Sequence, residues 1–367
     1  MGKRKRIAIV VPTLSSAGGS VRIACWLAGC LAKNNDVALI SCESFDVPAF
    51  HVEDNICLLS FDLPEVRVMQ RRRIAKIRFE ELDRKYNFDI VIAEGTYEAL
   101  YSINFCRRKG VPLLFCDHGA LINQWHDRKM TVIRALCAYF STKTIVLTEA
   151  NACDYERLLH VPKSKIVRMP NPVSPEFLGA FNGYDPDAKR IVWAGRLSPE
   201  KGVEFLLDIA QKALLRFPDW ALDVYGDIDP SLDIDLPKEL SERGIDEQVS
   251  LCGRASDMKS AYMGHSIGVL TSLREGFSLF LLEGRACGIP QISFDVNHGP
   301  RELIADGLNG YLVPCFDCEE YAGRLCKLMA DRDLRKSMSL AARSGLEGYS
   351  PEFMSQKWKQ LIDSVAS

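Results

Sequence analysis

Glu275 and Glu283 stand eight residues apart in TSLREGFSLFLLEGRACGIP (271–290), separated by Gly276, Phe277, Ser278 and a markedly apolar run. Glu275 follows the strand-like 267–270, which places it in the loop beyond a strand's C-terminal end. Ser278 is a candidate N-cap for the helix that follows, and that helix carries Glu283 in its second turn. Loop acid and helix acid then reach one ligand at the carboxyl edge of a parallel sheet, while amides at the helix N-terminus face its phosphates. Paired acids on a helix more often mark a solvated face. Phe277, Leu279, Phe280, Leu281 and Leu282 are too apolar for that reading here.

Arg196 and Lys201 lie in GRLSPEKG (195–202), a glycine-bounded loop after the strand-like 190–194. Such a loop turns two cations and a backbone amide toward one diphosphate. The Asp-x-Asp at 233–235 follows Pro230 in a polar connection and reads as solvated, outside any likely donor loop. Gly18 and Gly19 close the loop after the first strand, where a bare backbone can approach a phosphate or an acceptor. Asp117 and His118 follow the strand-like 111–115 and precede Gly119. That position converts a histidine from a core residue into a site candidate. Asp117 is a candidate for orienting or deprotonating an acceptor hydroxyl, with His126 and Asp127 as weaker candidates on a rim.

These residues need a frame of alternating strands and helices. Residues 7–11, 37–41, 88–93, 111–115 and 144–147 are apolar runs of the kind buried in parallel sheets. Residues 21–31 read as the helix of an opening βαβ unit with glycines at its first turn. RMPNPVSP (168–175) is proline-dense, hence extended, and marks a linker. Beyond a polar lead-in at 181–189, strands are expected at 190–194, 221–225, 249–252, 267–271 and 291–294, with a helix over 203–217. A last helix over 350–365 carries Phe353, Trp358, Leu361 and Ile362. The expected fold class is α/β, with two Rossmann-like doubly wound domains over 1–172 and 173–349 and a C-terminal helix over 350–367.

The 367 residues suffice for two cores. A formal charge of −2 gives no case for nucleic-acid binding. Residues 1–6 lead into five apolar residues before Pro12, too few for a signal peptide, so the 13 cysteines are expected as reduced thiols in a cytoplasmic protein. Cys315 and Cys318 have redox spacing without a second pair or a nearby histidine to complete a site. No apolar run approaches the roughly 20 residues that span a bilayer.

Taken together, the acid pair, ACGIP (286–290), GPRELI (299–304), DGLNGYLV (306–313) and GRLSPEKG (195–202) resemble the retaining glycosyltransferases of family 4. The resemblance implies the GT-B arrangement, two Rossmann-like domains facing a central cleft, with the C-terminal helix crossing back onto the first. It further implies a nucleotide-sugar donor, most simply a UDP-sugar, and a glycan acceptor, with no cofactor. Arg196 and Lys201 would neutralise the departing diphosphate in place of a metal. Glu275, with the amides of Gly276, Phe277 and Ser278, would bind the donor sugar, and Leu279 and Phe280 would offer amides to phosphate. Glu283 would bind the ribose, Arg254 and the neighbouring turn would lie near the base, and Gly195 would open the cationic loop. His118 would approach the transferred sugar. Family members commonly follow the Gly18-Gly19 pair with a small residue, an acid and an arginine; here Val21 replaces the acid before Arg22. The segment 299–302 is more like hexose or N-acetylhexosamine transferases of bacterial surface glycans than like sucrose or glycogen synthases. A nucleotide-sugar 2-epimerase of the same fold is the alternative enzyme, distinguished by needing no acceptor. A degenerate nucleotide-binding scaffold is the non-enzymatic alternative.

VRVMQRRRIAKIRFEELDRKY (66–86) bears on the acceptor. At 100° per residue Val68, Ala75, Phe79, Leu82 and Tyr86 share one face, while Val66, Met69, Ile74 and Ile77 gather on another. Arg67, Arg71, Arg72, Arg73, Lys76 and Arg78 lie between. A second apolar stripe with basic flanks fits an anionic membrane surface, with 3–6 adding charge. Family relatives that use polyprenyl diphosphates carry a basic helix here. The expectation is a peripheral enzyme at the inner face of the cell membrane, acting on a polyprenyl-diphosphate-linked glycan. Glu80, Glu81 and Asp83 keep an ordinary solvated helix as the other reading.

Overall fold

The computed structural model describes residues 4–177, 184–255 and 257–365. It divides into two compact units, Met1–Pro172 with Glu352–Ser367, and Val173–Pro351.

The first unit opens with β1 (Arg6–Val11), α1 (Gly19–Ala32), β2 (Asp36–Ser41), β3 (Cys57–Ser60), α2 (Val68–Tyr86) and β4 (Ile90–Ala93). It continues with α3 (Thr96–Lys109), β5 (Leu113–Asp117), α4 (Arg128–Phe140), β6 (Lys143–Val146), α5 (Glu149–Leu159) and β7 (Ile166–Arg168). The strands form one parallel sheet in the order β3-β2-β1-β4-β5-β6-β7. Its central strands are apolar on both faces because helices cover both. On β1, Ile7, Ile9 and Val11 pack toward α1, whereas Ala8 and Val10 pack toward the core that α2 and α3 close. The period of two that separates these sets recurs on β4, where Ile90 and Ile92 join the first and Val91 and Ala93 the second.

The second unit runs β8 (Arg190–Ala194), α6 (Val203–Leu214), β9 (Ala221–Tyr225), α7 (Leu236–Glu242), β10 (Val249–Gly253), α8 (Met258–Tyr262) and β11 (Ile267–Leu270). Then come α9 (Leu279–Ala286), β12 (Gln291–Phe294), α10 (Gly299–Leu303), β13 (Gly310–Val313), α11 (Cys318–Ala330) and α12 (Arg332–Ala342). The parallel sheet has the order β10-β9-β8-β11-β12-β13. In both units the strand order reverses beside the first strand, the place where doubly wound sheets bind ligands at their carboxyl edge. The chain ends in α13 (Pro351–Val365), whose Met354, Trp358, Leu361 and Ile362 recur at helical spacing and join the α1-side core of the first unit. Each such buried side chain contributes about 1.5–3 kcal/mol.

Several expectations change. β3 and β7 are sheet-edge strands that the apolar runs did not reveal. The helix expected over 203–217 stops at Leu214. Asp235 is not simply solvated: it caps α7, accepting from the Lys238 amide. Asp127 likewise caps α4, accepting from Met130 N at 3.0 Å, and His126 is exposed. Phe353 faces away from the core that holds the rest of its helix, 46% exposed. In α2, Ile74 packs on the core instead of joining Met69 and Ile77 outside. Of the basic segment 3–6, Lys3 lies outside the described residues, and Arg4, Lys5 and Arg6 pair with Asp36, Asp363 and Asp89. Part of the polar lead-in, 181–183, also lies outside them.

Candidate active site

In the second unit the loop between β8 and α6 is stitched to the loop after β11. Trp193 Nε1 donates to Thr271 Oγ1 at 3.1 Å, and Thr271 Oγ1 donates to the Lys201 carbonyl at 3.0 Å. The Leu273 amide donates to the Glu200 carbonyl at 2.9 Å. Gly202 makes this approach possible: it holds φ +67°, and a Cβ there would lie 2.0 Å from the Thr271 carbonyl oxygen. The result is a short ion pair, Lys201 Nζ donating to Glu275 Oε1 at 2.7 Å. The Glu275 side chain is 8% exposed and that of Lys201 31%. Burial alone would lower the Lys201 pKa, but Glu275 outweighs it and raises it, so the ammonium stays charged.

Glu275 is also held from the other side. It bridges His298, and a Cβ on Gly299 would meet the Glu275 Cβ and the Phe277 amide, each at 3.0 Å. Ser278 and His298 are both non-glycine residues at positive φ, +74° and +78°. Such backbone costs about 1–3 kcal/mol per residue and persists where the surroundings enforce it, commonly at ligand sites. Ser278 caps α9, its hydroxyl accepting from Leu281 N at 3.3 Å. Gly276 and Phe277 lie in the loop between Glu275 and this cap, and Leu279 is the first residue of the helix. Glu283 is buried one turn on, with Tyr262 Oη donating to its Oε2 at 3.3 Å. Arg196, beside Gly195, is 61% exposed and pairs with Asp229 at 3.5 Å, not with Glu275. Arg254 is exposed and forms an ion pair with Asp227.

The first unit brings His118 and Asp117 to the end of β5, but with different surroundings from those expected. Both oxygens of buried Asp117 are engaged. Oδ1 accepts from Arg134 Nη2 and from the Gly119 amide, each at 3.2 Å, and Oδ2 accepts from Tyr155 Oη at 2.7 Å. This carboxylate braces the loop and is not presented as a base. His118 Nε2 bonds the carboxylate of Glu94, a residue the sequence reading did not select. Burial pulls the His118 pKa down, yet Glu94, with Asp117 and Glu98 behind it, raises it overall. Gly18 caps α1 and Gly19 begins it. Among the described residues, no group of three or more His, Cys, Asp or Glu side chains is placed to hold a metal ion.

Two family models match the chain: Glycosyltransferase Family 4 over residues 17–177 and Glycosyl transferases group 1 over 188–331. The chain belongs to the GT-B glycosyltransferases. The amylovoran biosynthesis glycosyltransferase AmsD of Erwinia amylovora is 25% identical over 365 residues, covering 98% of this chain and 99% of its own. Sucrose-phosphate synthase from Thermosynechococcus elongatus shares the fold at TM-score 0.85 and 17% identity, over 98% of this chain and 99% of its own. So does HepE of Anabaena, solved with UDP and glucose, at TM-score 0.78 and 15% identity, over 98% and 100%.

Glu98 is the second acid of this glycosyltransferase that the sequence reading passed over. It lies buried in the first turn of α3, with Oε2 tucked beside Gly95. Burial raises its pKa from 4.5 to about 7. The stability contributed by the protonated carboxyl is therefore fully present below about pH 4.5 and is lost as pH rises through about 7. Glu98→Gln removes this loss. Urea unfolding at pH 5 and pH 8 is expected to show the variant gaining roughly 2–4 kcal/mol on the wild type across that interval. Equal pH dependence in the two proteins would mean that Glu98 ionises normally.

Proposed function

We propose that this glycosyltransferase moves a hexose or N-acetylhexosamine, with retention of anomeric configuration and without a metal, from a UDP-sugar to a glycan on polyprenyl diphosphate. The buried Lys201–Glu275 pair at 2.7 Å carries the reading. A retained cation beside a carboxylate supplies the two functions donor cleavage needs, charge neutralisation at the diphosphate and hydrogen bonding to sugar hydroxyls. Lys201 and Arg196 take the diphosphate, Arg196 leaving Asp229 to do so. Glu275 and the amides of Gly276, Phe277 and Ser278 hold the sugar, and Leu279 offers its amide to phosphate. Glu283 takes the ribose, Arg254 lies near the base, and Gly195 leaves room for the donor. His118, with Asp117 as its brace, and Gly18 and Gly19 serve the transferred sugar and acceptor. As the anomeric C–O bond to phosphate breaks, the acceptor oxygen bonds the same face of that carbon and its proton passes to the leaving phosphate oxygen. HepE is solved with UDP and glucose, and AmsD is named an amylovoran biosynthesis glycosyltransferase; both support the reading.

No described helix is long and apolar enough to cross a membrane. The lipid-facing part of the reading rests on α2 and its neighbours. Met69 and Ile77 of α2 are 58% and 57% exposed, with Arg73 exposed between them. Arg71 and Arg72 turn inward to Glu43 and Asn104, so they contribute less than their sequence positions imply. α3 packs between α2 and α4, and α4 exposes Val132, Leu136 and Tyr139 without one acidic residue. Apolar tips among cations fit an anionic leaflet.

The test is transfer from a panel of UDP-sugars to a polyprenyl-diphosphate glycan in excess chelator, with the product anomer read by NMR. A retained α- or β-linkage without added metal is expected. Inversion, a strict metal requirement, or epimerised donor without acceptor would each overturn the corresponding part. In sedimentation, anionic vesicles are expected to carry down the wild type, less so in high salt, and to release a Met69→Gln/Arg73→Glu/Ile77→Gln variant. A wild type that ignores the vesicles and uses a soluble acceptor equally well refutes the membrane reading.

A further inference from the structure

Glu94 ends β4 and His118 follows β5, its neighbour in the sheet, so both stand at the carboxyl edge of adjacent parallel strands. The Glu94 amide continues the ladder, donating to the Val10 carbonyl at 2.9 Å, which fixes where its side chain starts. That side chain is 2% exposed, and that of His118 20%. One carboxylate oxygen, Oε2, bonds His118 Nε2. The other, Oε1, is buried and accepts no hydrogen bond of normal geometry among the described residues, the buried Cys116 thiol being only a weak donor beside this carboxylate. A buried carboxylate oxygen without a strong donor is costly, and such groups persist where a ligand or function completes them. Glu94 and His118 line one pocket of the first unit, together with Trp26, Met169, Asn171 and Trp358. Asp117 lines it too, and apart from these polar residues its walls are mainly apolar, so Glu94, His118 and Asn171 define where a polar ligand atom can be received.

We propose that Glu94 is a positioning residue for the sugar-transfer reaction, orienting the His118 ring through Oε2 and accepting a ligand hydroxyl's hydrogen bond at Oε1. The role rests on the transfer reading above. With Nε2 committed to Glu94, the His118 ring has only Nδ1 left to present to a substrate. The groups around the ring are Glu94, Asp117, Glu98 and the buried Cys116, and Arg134 neutralises Asp117. Glu94 is therefore the carboxylate that can hold an imidazolium at this edge, and the charged ring donates a hydrogen bond without transferring its proton. Asp117, its lone pairs taken by Arg134, Gly119 and Tyr155, cannot substitute.

The experiment uses the full chain as wild type, Glu94→Gln and Glu94→Asp. ¹⁵N-histidine NMR follows the His118 titration, with His118→Asn to assign the signal, and steady-state transfer gives kcat and both KM values. Glu94→Gln is expected to lower the His118 midpoint. It should cut kcat about 10²-fold while the donor KM and stabilisation by UDP stay as in the wild type. Glu94→Asp, which keeps the charge, should recover part of both. An active wild type beside an equally active Glu94→Gln overturns the role alone, as does an unmoved His118 titration. A wild type that transfers no sugar overturns the transfer reading and this role with it.

Discussion

Lys201→Ala lowers kcat/KM for sugar transfer by about 10²–10³-fold and Glu275→Gln by about 10²-fold, and the double variant is little worse than the poorer single one. The expectation follows from how the pair is built. Lys201 is raised in pKa by its carboxylate partner, so on the proposed reading it would meet the donor as a fixed cation with no proton to acquire. A cation already in place where negative charge develops costs no reorganisation during the reaction, which is why removing one such contact is expensive. Glu275 fixes the ammonium at 2.7 Å, so deleting either partner displaces the other and their effects cannot add. Lys201→Ala also takes the cation at 2.7 Å away from a carboxylate that is 8% exposed. Some loss of stability is expected with it, and melting curves separate that from lost turnover. Wild-type rates in both folded single variants would remove these residues from the reaction.

The fold was legible where strands are buried on both faces. IAIVV (7–11) and IVIA (90–93) have no polar residue because helices cover both sides of the sheet. β3 and β7 escaped because edge strands have one neighbour and partial exposure, so Cys57–Ser60 and Ile166–Arg168 show no long apolar run. α2 was legible as a helix but not in its orientation. A helical wheel places Ile74 with Met69 and Ile77, yet the packing of α2 against α3 takes Ile74 inward along with Arg71 and Arg72.

The site was legible where one segment holds both partners or a motif announces them. Glu275, Ser278 and Glu283 share a loop and helix, and the cap that aligns them is local chemistry. The Lys201–Glu275 contact joins residues 74 apart, brought together by the stitching of the two loops through Thr271 and Leu273. Glu94 was hidden for the same reason: its partner lies 24 residues away on the next strand. Its one signal was an acid directly after a buried strand and before a glycine. Asp117, an acid at the very end of a buried strand, proved to be a brace, because Arg134 and Tyr155, which occupy it, come from α4 and α5.

Gly202→Ala is expected to cost on the order of 3 kcal/mol and to reduce turnover about 10²-fold, whereas Gly244→Ala costs about 1–2 kcal/mol and leaves turnover intact. The two glycines have nearly the same left-handed backbone, φ +67° and +69°. They therefore share the penalty an L-residue pays for that conformation. They differ in what a methyl group meets. At Gly244 nothing lies within 4 Å, whereas at Gly202 the new Cβ would sit 2.0 Å from the Thr271 carbonyl oxygen and 2.9 Å from its carbon. Those atoms are backbone and cannot rotate away, so the loop must separate from the strand end. Lys201, the adjacent residue, moves with it, and its carbonyl loses the Thr271 hydroxyl. A displacement of about 1 Å at a charge-stabilising group is enough for a rate loss of that size. Urea unfolding and steady-state transfer on both variants measure the two costs separately. Equal stability losses at Gly202 and Gly244 would show that the loop yields freely, and the close approach that sets Lys201 against Glu275 would then have no energetic weight.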